Sequence, residues 1–439
     1  VSLKFAIVPL IVLAASLGAG HPEAAPPEVF LTIGKRSPAM ATLLVPPVVR
    51  AGEWRPVGVA PELTEILRAD LDASGYFTIP GDTGAFEPQM AREGGGPIDV
   101  PRWREMGGTI LVKTSFSGES DLSLDVRIHD LTTGLSIHHR TFTGPHAARR
   151  RLVHEAADEI VYRLTGNRGV ARTKIAYISD LAGEKEVMVM DYDGAGATRV
   201  TSMKSITLFP AWSPDGAFLA YTSYRDNNPD LYLIRADGRE LRRLVDFGGL
   251  NAHASWSPDG RTIALTLSRD GNAEIYLYDI RRKEVRRLTT NAANDTSPDW
   301  SPDGNRIVFT SDRTGSPQLY LMDTDGGNVT RLTFAGEFND TAAWSPSGDA
   351  IAYASMRGGI FRIHAIAPDG SGDRPLITGT RNCEDPAWSP DGRHLAFTVN
   401  TGERQQIHRL DIDAGSEVTL TKLGRRNASP DWSPFSGGW

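Results

Sequence analysis

The residues best able to do chemistry come back at regular intervals. Asn251-Ala252-His253, Asn294-Asp295-Thr296, Asn339-Asp340-Thr341, Asn382-Cys383-Glu384-Asp385 and Asn427-Ala428-Ser429 each stand just before a tryptophan that is followed by Ser-Pro. Such donors and acceptors either cap strand ends or present a docking surface, and both roles can hold at once. The corresponding stretch of the first copy is apolar, Leu208-Phe209-Pro210. Other candidates are weaker. His154-Glu155-Ala156-Ala157-Asp158 has the layout of a zinc-protease helix, but Asp replaces the second His and removes a ligand. A solvated helix face is predicted there, and equally for Arg149-Arg150-Arg151; Arg281-Arg282-Lys283 is predicted on an outer turn. Asp191-Tyr192-Asp193-Gly194-Ala195-Gly196 begins like a calcium loop, yet Ala195 and Ser202 stand where ligands belong, so a hairpin turn is expected. The sequence contains no Gly-x-Ser-x-Gly elbow and no glycine-rich phosphate loop opening a helix.

What must position the polar segments is a repeat. Trp212, Trp256, Trp300, Trp344, Trp388 and Trp432 each precede Ser-Pro, and neighbours are 44 residues apart. In the unit at Trp300, strand-like runs Arg306 to Ser311, Gln318 to Asp323 and Thr330 to Thr333 alternate with turn residues. Ser301-Pro302-Asp303-Gly304 suits a type I turn. Four strands per unit with a period in the low forties mark a β-propeller blade. Each tryptophan is predicted to fill the wedge between neighbouring blades, with ligand stacking as the rival role. Six second strands begin near Lys174, Ala217, Arg261, Asn305, Asp349 and Arg393. The first lacks a Trp-Ser-Pro before it and Trp432 has almost nothing after it. The fragments complete one another: the C-terminal strand 429–433 should become the inner strand of the blade begun at Lys174.

A chain of 439 residues exceeds one ordinary domain. Net charge −7 without a basic stripe argues against nucleic acid as a partner. One cysteine, Cys383, gives no disulfide within the chain. Lys4, the apolar run Phe5 to Leu17 and Gly18-Ala19-Gly20 have the layout of a secretory signal peptide, a run too short for a comfortable membrane span.

The fold expected is therefore multidomain: a small N-terminal α/β domain, then a six-bladed all-β propeller closed by the C-terminal strand. The boundaries expected are a signal peptide at 1–20, the α/β domain at 21–165 with an N-terminal arm at 27–34, a linker at 166–173 and the propeller at 174–439. Within the α/β domain, Glu28 to Ile33 is β-prone and is either a strand of that domain or a mobile arm. Leu43 to Val49 reads as one buried strand, Pro61 to Ser74 as a helix stopped by Gly75, Tyr76 to Ile79 as a strand and Gly81 to Val100 as a surface loop. Strands are expected at Thr109 to Phe116, Ser123 to His129 and Ser136 to Phe142, and a helix at Ala147 to Leu164.

Glu28-Val29…Ile33-Gly34, Pro61-Glu62…Ala69-Asp70-Leu71…Ser74-Gly75, Arg172-Thr173-Lys174-Ile175-Ala176-Tyr177, Asp191-Tyr192-Asp193-Gly194 and Asp431-Trp432-Ser433-Pro434-Phe435 carry a more specific resemblance. With the six blades, they make essentially the whole mature chain similar to the TolB family, periplasmic components of the Tol–Pal system. Departures are the loose Met40 to Val45 segment, Ser347 in place of a turn aspartate, and the extension Ser436 to Trp439. The resemblance implies a non-enzymatic periplasmic protein without cofactor, metal or catalytic residue. It assigns the rim residues Asn251, His253, Asn294, Asp295, Thr296, Asn339, Asp340, Thr341, Asn382, Glu384 and Asp385 to the lipoprotein Pal. It assigns the arm residues Glu28, Val29, Phe30, Leu31, Thr32 and Ile33 to the C-terminal domain of TolA. It further implies other outer-membrane proteins as partners, a monomer, and support of outer-membrane invagination in cell division and of envelope integrity. The rival reading is a propeller lyase acting on acidic oligosaccharides, which needs several histidines converging in the channel where the rim offers only His253. A propeller attached to a peptidase ranks third, and no hydrolase domain is visible for it.

Overall fold

The computed structural model describes residues 40–81 and 84–435. The expected signal peptide and the arm Glu28–Ile33 lie outside the described residues. The chain first builds a mixed sheet. Strands β1 (Ala41–Leu44) and β2 (Val49–Arg50) run parallel to β4 (Ile110–Ser117), and β1 also runs parallel to β3 (Phe77–Thr78). Strands β5 (Asp121–Asp130) and β6 (Ser136–Pro145) continue from β4 antiparallel. The single strand expected over Leu43 to Val49 is thus two short ones, because Pro46 and Pro47 cannot donate to a ladder.

Two helices cover one face. Helix α1 (Ala60–Ala73) starts with Pro61 in its first turn and buries Leu63, Ile66, Leu67 and Leu71. The region expected as a loop after β3 holds a further helix, α2 (Phe86–Glu93), followed by α3 (Val100–Glu105). Phe86 and Met90 pack with Trp103 against Leu44 and Leu111, and that small cluster outweighs the local glycines and prolines. The last helix, α4 (Arg149–Thr165), buries Leu152, Ala156, Ile160 and Leu164 on α1 and the sheet; Gly166, at φ +74°, stops it by donating to the Tyr162 carbonyl. No helix among the described residues is long and apolar enough to cross a membrane.

From Lys174 onward the chain forms six four-stranded antiparallel sheets. Blades 2 to 6 open with the inner strands Thr207–Trp212, Asn251–Trp256, Asp295–Trp300, Phe338–Trp344 and Asn382–Trp388. Blade 1 takes its inner strand, Asn427–Trp432, from the far end of the chain and pairs it with Lys174–Ser179. The split-blade closure read from the tryptophan register is what the sheet pairing shows. Trp212 packs between Ala176, Ile178 and Val187 of blade 1 and Leu219 and Tyr221 of blade 2. Trp344 does the same between blades 4 and 5. The turns are as expected: Gly304 N–H bonds the Ser301 carbonyl at 2.9 Å, with Gly304 at φ +73°.

The two parts share one core. The cluster that holds Leu63, Leu67 and Ile160 continues into Ile175, Tyr177, Met188, Tyr192, Ala396 and Trp432. His394 and Arg393, just after the Ser-Pro-Asp-Gly turn of blade 6, bond the carbonyls of Ala73 (2.8 Å) and Gly75 (3.0 Å). The α/β domain therefore sits on the propeller face that carries these turns. The segment expected as a linker is pinned, since Asp158 accepts from Ala171 N–H at 2.8 Å and from the Arg172 side chain at 3.0 Å. Among the described residues, the opposite face, where the loops enter the inner strands, is clear of that domain.

Candidate channel and rim

Each inner strand carries a bulge near its middle, and at every bulge stands one residue with positive φ: Phe209, His253, Ser297, Thr341, Asp385 and Ser429, all between +51° and +54°. Non-glycine residues avoid this conformation, so six repeats of it at the blade period are a built feature. The bulges line the channel, around a cavity of about 320 Å³. Phe209, the apolar exception of the first copy, stacks on His253 with ring centroids 3.7 Å apart. Burial pushes the His253 imidazole down to about 4, against the pull of nearby Asp340.

Deeper in the channel stand two carboxylates that the sequence reading passed over. Asp299 accepts from Ser255 Oγ at 2.8 Å and from Trp344 N–H of the next blade at 2.9 Å. Asp431 accepts from Trp212 N–H at 2.6 Å, across the junction of blades 1 and 2. Burial raises both, Asp299 to about 6 and Asp431 to about 7, although the backbone bonds oppose it. The Asp-Trp pairs at 299–300 and 431–432 were visible in the sequence as a signal. Among the described histidines only His253 lines this cavity.

Apart from Asn294, which precedes its strand, the polar residues before the tryptophans are strand residues, not loops, and they divide into two groups. Asn251, Asp295 and Asn339 are fully buried. Asn251 Nδ2 donates to the carbonyls of Phe247 (2.7 Å) and Gly249 (3.1 Å), and Asn339 Nδ2 to the Ala335 carbonyl (2.8 Å). Asp295 accepts from Arg313 and Asn291 at 2.8 and 2.7 Å. These three cap the entering loops and cannot present themselves to a partner. His253, Thr296, Asp340, Thr341, Asn382, Glu384 and Asp385 are half-buried, and Asn294 is exposed beside Asp312. Asp340 accepts from Thr310 at 2.7 Å, and Asp385 from Thr398 at 3.1 Å and Ser429 N–H at 3.2 Å. On the same face the loops expose Leu181, Ile206, Tyr224, Phe334 and Leu423; Phe334 is 77% exposed.

The zinc-like segment is not a solvated face. His154 and Asp158 are buried because α4 packs into the shared core, which its own sequence could not reveal. Asp70, His154 and Asp193 offer ligand atoms within 4.8 Å of one another. The Arg150 guanidinium already holds Asp193 and Asp191 there, so the positive charge is supplied by the chain. Arg150 is therefore an interdomain anchor, while Arg281 and Arg282 are exposed on an outer turn as expected.

Comparison with known proteins fits this geometry. Residues 31–137 match the TolB amino-terminal domain and residues 161–436 the TolB beta propeller domain. This chain belongs to the TolB family. It is 36% identical over 211 residues to the Tol-Pal system protein TolB of Geobacter sulfurreducens, covering 48% of each chain. It is 39% identical over 176 residues to that of Geobacter metallireducens, covering 40% of this chain and 41% of the other. The chain spans about half the length or less of these curated relatives. The crystal structure of TolB from Acinetobacter baumannii superposes with a TM-score of 0.75 at 26% identity, over 90% of this chain and 97% of that one. The two family matches thus cover both domains.

Proposed function

We propose that this protein is a non-enzymatic, periplasmic interaction component of a Tol–Pal system, binding the lipoprotein Pal at the channel mouth. The observation that carries the reading is the mouth itself. It lies opposite the α/β domain, its wall is rigid at six bulges, and exposed apolar side chains surround half-buried polar ones. An apolar and polar mixture on a rigid, concave surface is what a protein partner uses for anchoring and specificity. His253, Thr296, Asp340, Thr341, Asn382, Glu384, Asp385 and exposed Asn294 make the contacts in this reading, and the buried Asn251, Asp295 and Asn339 hold the rim in shape.

The arm Glu28 to Ile33 takes the C-terminal domain of TolA by adding its backbone to a sheet edge. Met40, where the described chain begins, lines a groove of about 700 Å³ together with Tyr76, Arg374, Arg393 and Ile412, and in this reading the arm occupies it between encounters. Signal-directed export, the domain limits 21–165, 166–173 and 174–439, further outer-membrane partners, a monomeric state, and support of constriction and envelope integrity belong to the same reading. Calorimetry of the folded His253→Ala protein with purified Pal tests it. A loss of more than about 2 kcal/mol supports a contact at the mouth, and unchanged affinity removes His253 from the interface. Deleting residues 28–34 should abolish TolA binding while the protein stays folded.

A further inference from the structure

Beside the mouth, between blades 6 and 1, lies a groove of about 530 Å³ lined by Lys185, Arg404, Arg425 and Arg426. Arg404 comes from the loop joining His394–Asn400 to Gln405–Asp411, Lys185 from the loop before Glu186–Asp191, and the arginine pair from the loop entering Asn427–Trp432. None of these four side chains has an ion-pair or hydrogen-bond partner among the described residues, although Arg357, Arg381 and Arg393 in blades 5 and 6 are each paired with a carboxylate. Two carboxylates also line the groove. Asp180 is committed: its Oδ1 accepts both the Arg425 and Arg426 backbone N–H groups, at 2.9 and 3.0 Å. Glu403 is exposed and has no ion pair among the described residues.

The groove is held in shape by its backbone. Gln405 N–H bonds the Arg425 carbonyl at 2.8 Å, and Gln405 bridges to Arg426 in parallel. The loops are thus tied across the blade junction while the four cationic side chains remain free. Gathering like charges in a concave wall opposes folding and focuses a positive potential outward, and no ion pair or side-chain hydrogen bond among the described residues uses them. Next to them Leu423 and Leu181 are 70% and 47% exposed. We propose that this groove binds a carboxylate-rich segment of a protein partner that also offers an apolar side chain to Leu423 and Leu181. A protein segment fits better than an anionic membrane. The chain carries a net charge of −7, which repels a broad anionic surface, whereas a narrow segment meets only the groove. The amide of Gln405 in its wall adds a donor and an acceptor that a backbone can use.

The probe is a fluorescein-labelled peptide of alternating glutamate and leucine, titrated with the full chain by fluorescence anisotropy. Saturable binding that weakens with added salt is expected, as is a loss of ten-fold or more in the Arg425→Glu, Arg426→Glu double variant. Lys185→Glu with Arg404→Glu should act the same way, and the charge-matched Arg281→Glu, Arg282→Glu pair should not. Far-ultraviolet circular dichroism and melting confirm that each variant folds. Absence of saturable binding overturns the proposal, as does binding that both groove variants leave unchanged. Binding of phosphatidylglycerol vesicles that depends on the groove arginines, with no binding of the peptide, would replace the protein segment by a lipid headgroup and also overturns it. The probe is not Pal, so failure here leaves the proposed mouth interaction standing.

Discussion

Tyr192 of the propeller donates its phenolic hydrogen to Asp70 of α1 at 2.8 Å, inside the core that the two domains share. The other oxygen of Asp70 meets His154 Nδ1 at 2.7 Å, so one buried carboxylate joins α1, α4 and blade 1. Arg150 clamps Asp191 and Asp193 alongside, and Lys174 also reaches Asp191. Domain orientation thus rests on a few directional bonds within an apolar seam.

Replacing Tyr192 by Phe keeps the ring and deletes one donor. Asp70 is then left with an unsatisfied buried oxygen, at a cost of about 1–3 kcal/mol. Differential scanning calorimetry should show a lower melting temperature. Undiminished stability in Tyr192→Phe would show that the bond across the domains contributes nothing.

The same site should respond to pH. Burial lowers the imidazole of His154, but the hydrogen bond and charge of Asp70 outweigh it and raise its pKa. Burial also raises Asp70 itself, against the bonds from His154 and Tyr192, so the pair retains its proton. The groups around His154 are Asp70, Arg150, Asp191, Tyr192 and Asp193. A histidine raised on folding stabilises fully below its unfolded pKa, near about 6.5, and loses that contribution as pH climbs through the folded value. Wild type should therefore lose its advantage over His154→Leu as pH rises above about 6.5 and through the raised folded value. Melting curves that stay parallel for the two proteins would remove His154 as the titrating group.

How much of this was legible depends on whether a feature is written locally. The tryptophan period fixes blade number, and the unmatched halves at Lys174 and Trp432 fix closure, because both are repeats against which a gap shows. Burial of His154 depends on Asp70, 84 residues away, and on a propeller turn, so the helix alone reads as solvated. Phe86 and Met90 needed Trp103 and Leu111 before their stretch could become a helix. Asn251, Asp295 and Asn339 look like surface residues by type, yet each is buried and bonds the loop that enters its strand through one polar atom. Asp299 and Asp431 do not read as channel carboxylates in the sequence, because an aspartate beside a buried tryptophan resembles any strand end until six strands converge.

Asp431 supplies the next test. Its carboxyl rises on folding to about 7, so the folded state holds the proton more tightly than the unfolded chain. Stability on this account is highest at low pH and falls as pH rises between about 4 and about 7. Asp431→Asn can still accept from Trp212 N–H through its carbonyl oxygen while removing the buried charge. Above pH 7 the variant should be more stable than wild type by on the order of 1 kcal/mol, and its melting temperature should vary less with pH. A variant that is less stable at every pH would mean that the charge itself holds the blade junction.

Closure gives the last. Asn427–Trp432 is held to blade 1 at both ends: Ser179 Oγ donates to Asn427 Oδ1 at 2.7 Å, and Ser433 N–H bonds the Lys174 carbonyl at 2.8 Å. Trp432 fills the seam with the α/β domain and donates its indole N–H to Thr173 Oγ1 at 2.8 Å. Trp432→Ala should then cost about 3–5 kcal/mol, since both the wedge and a buried bond are lost. Truncation before Asn427 goes further, uncovering the inner edge of Lys174–Ser179 and the facing side of blade 6. Such a chain should aggregate or melt without cooperativity, and urea unfolding followed by tryptophan fluorescence distinguishes the cases. If the truncated chain stayed soluble and unfolded in one transition near the full-length midpoint, the ring would not depend on its terminal strand. The point variant matters because it leaves every ladder bond in place. A large loss there, with cooperativity intact, assigns the stability to packing at the seam, whereas loss only on truncation assigns it to the strand's backbone.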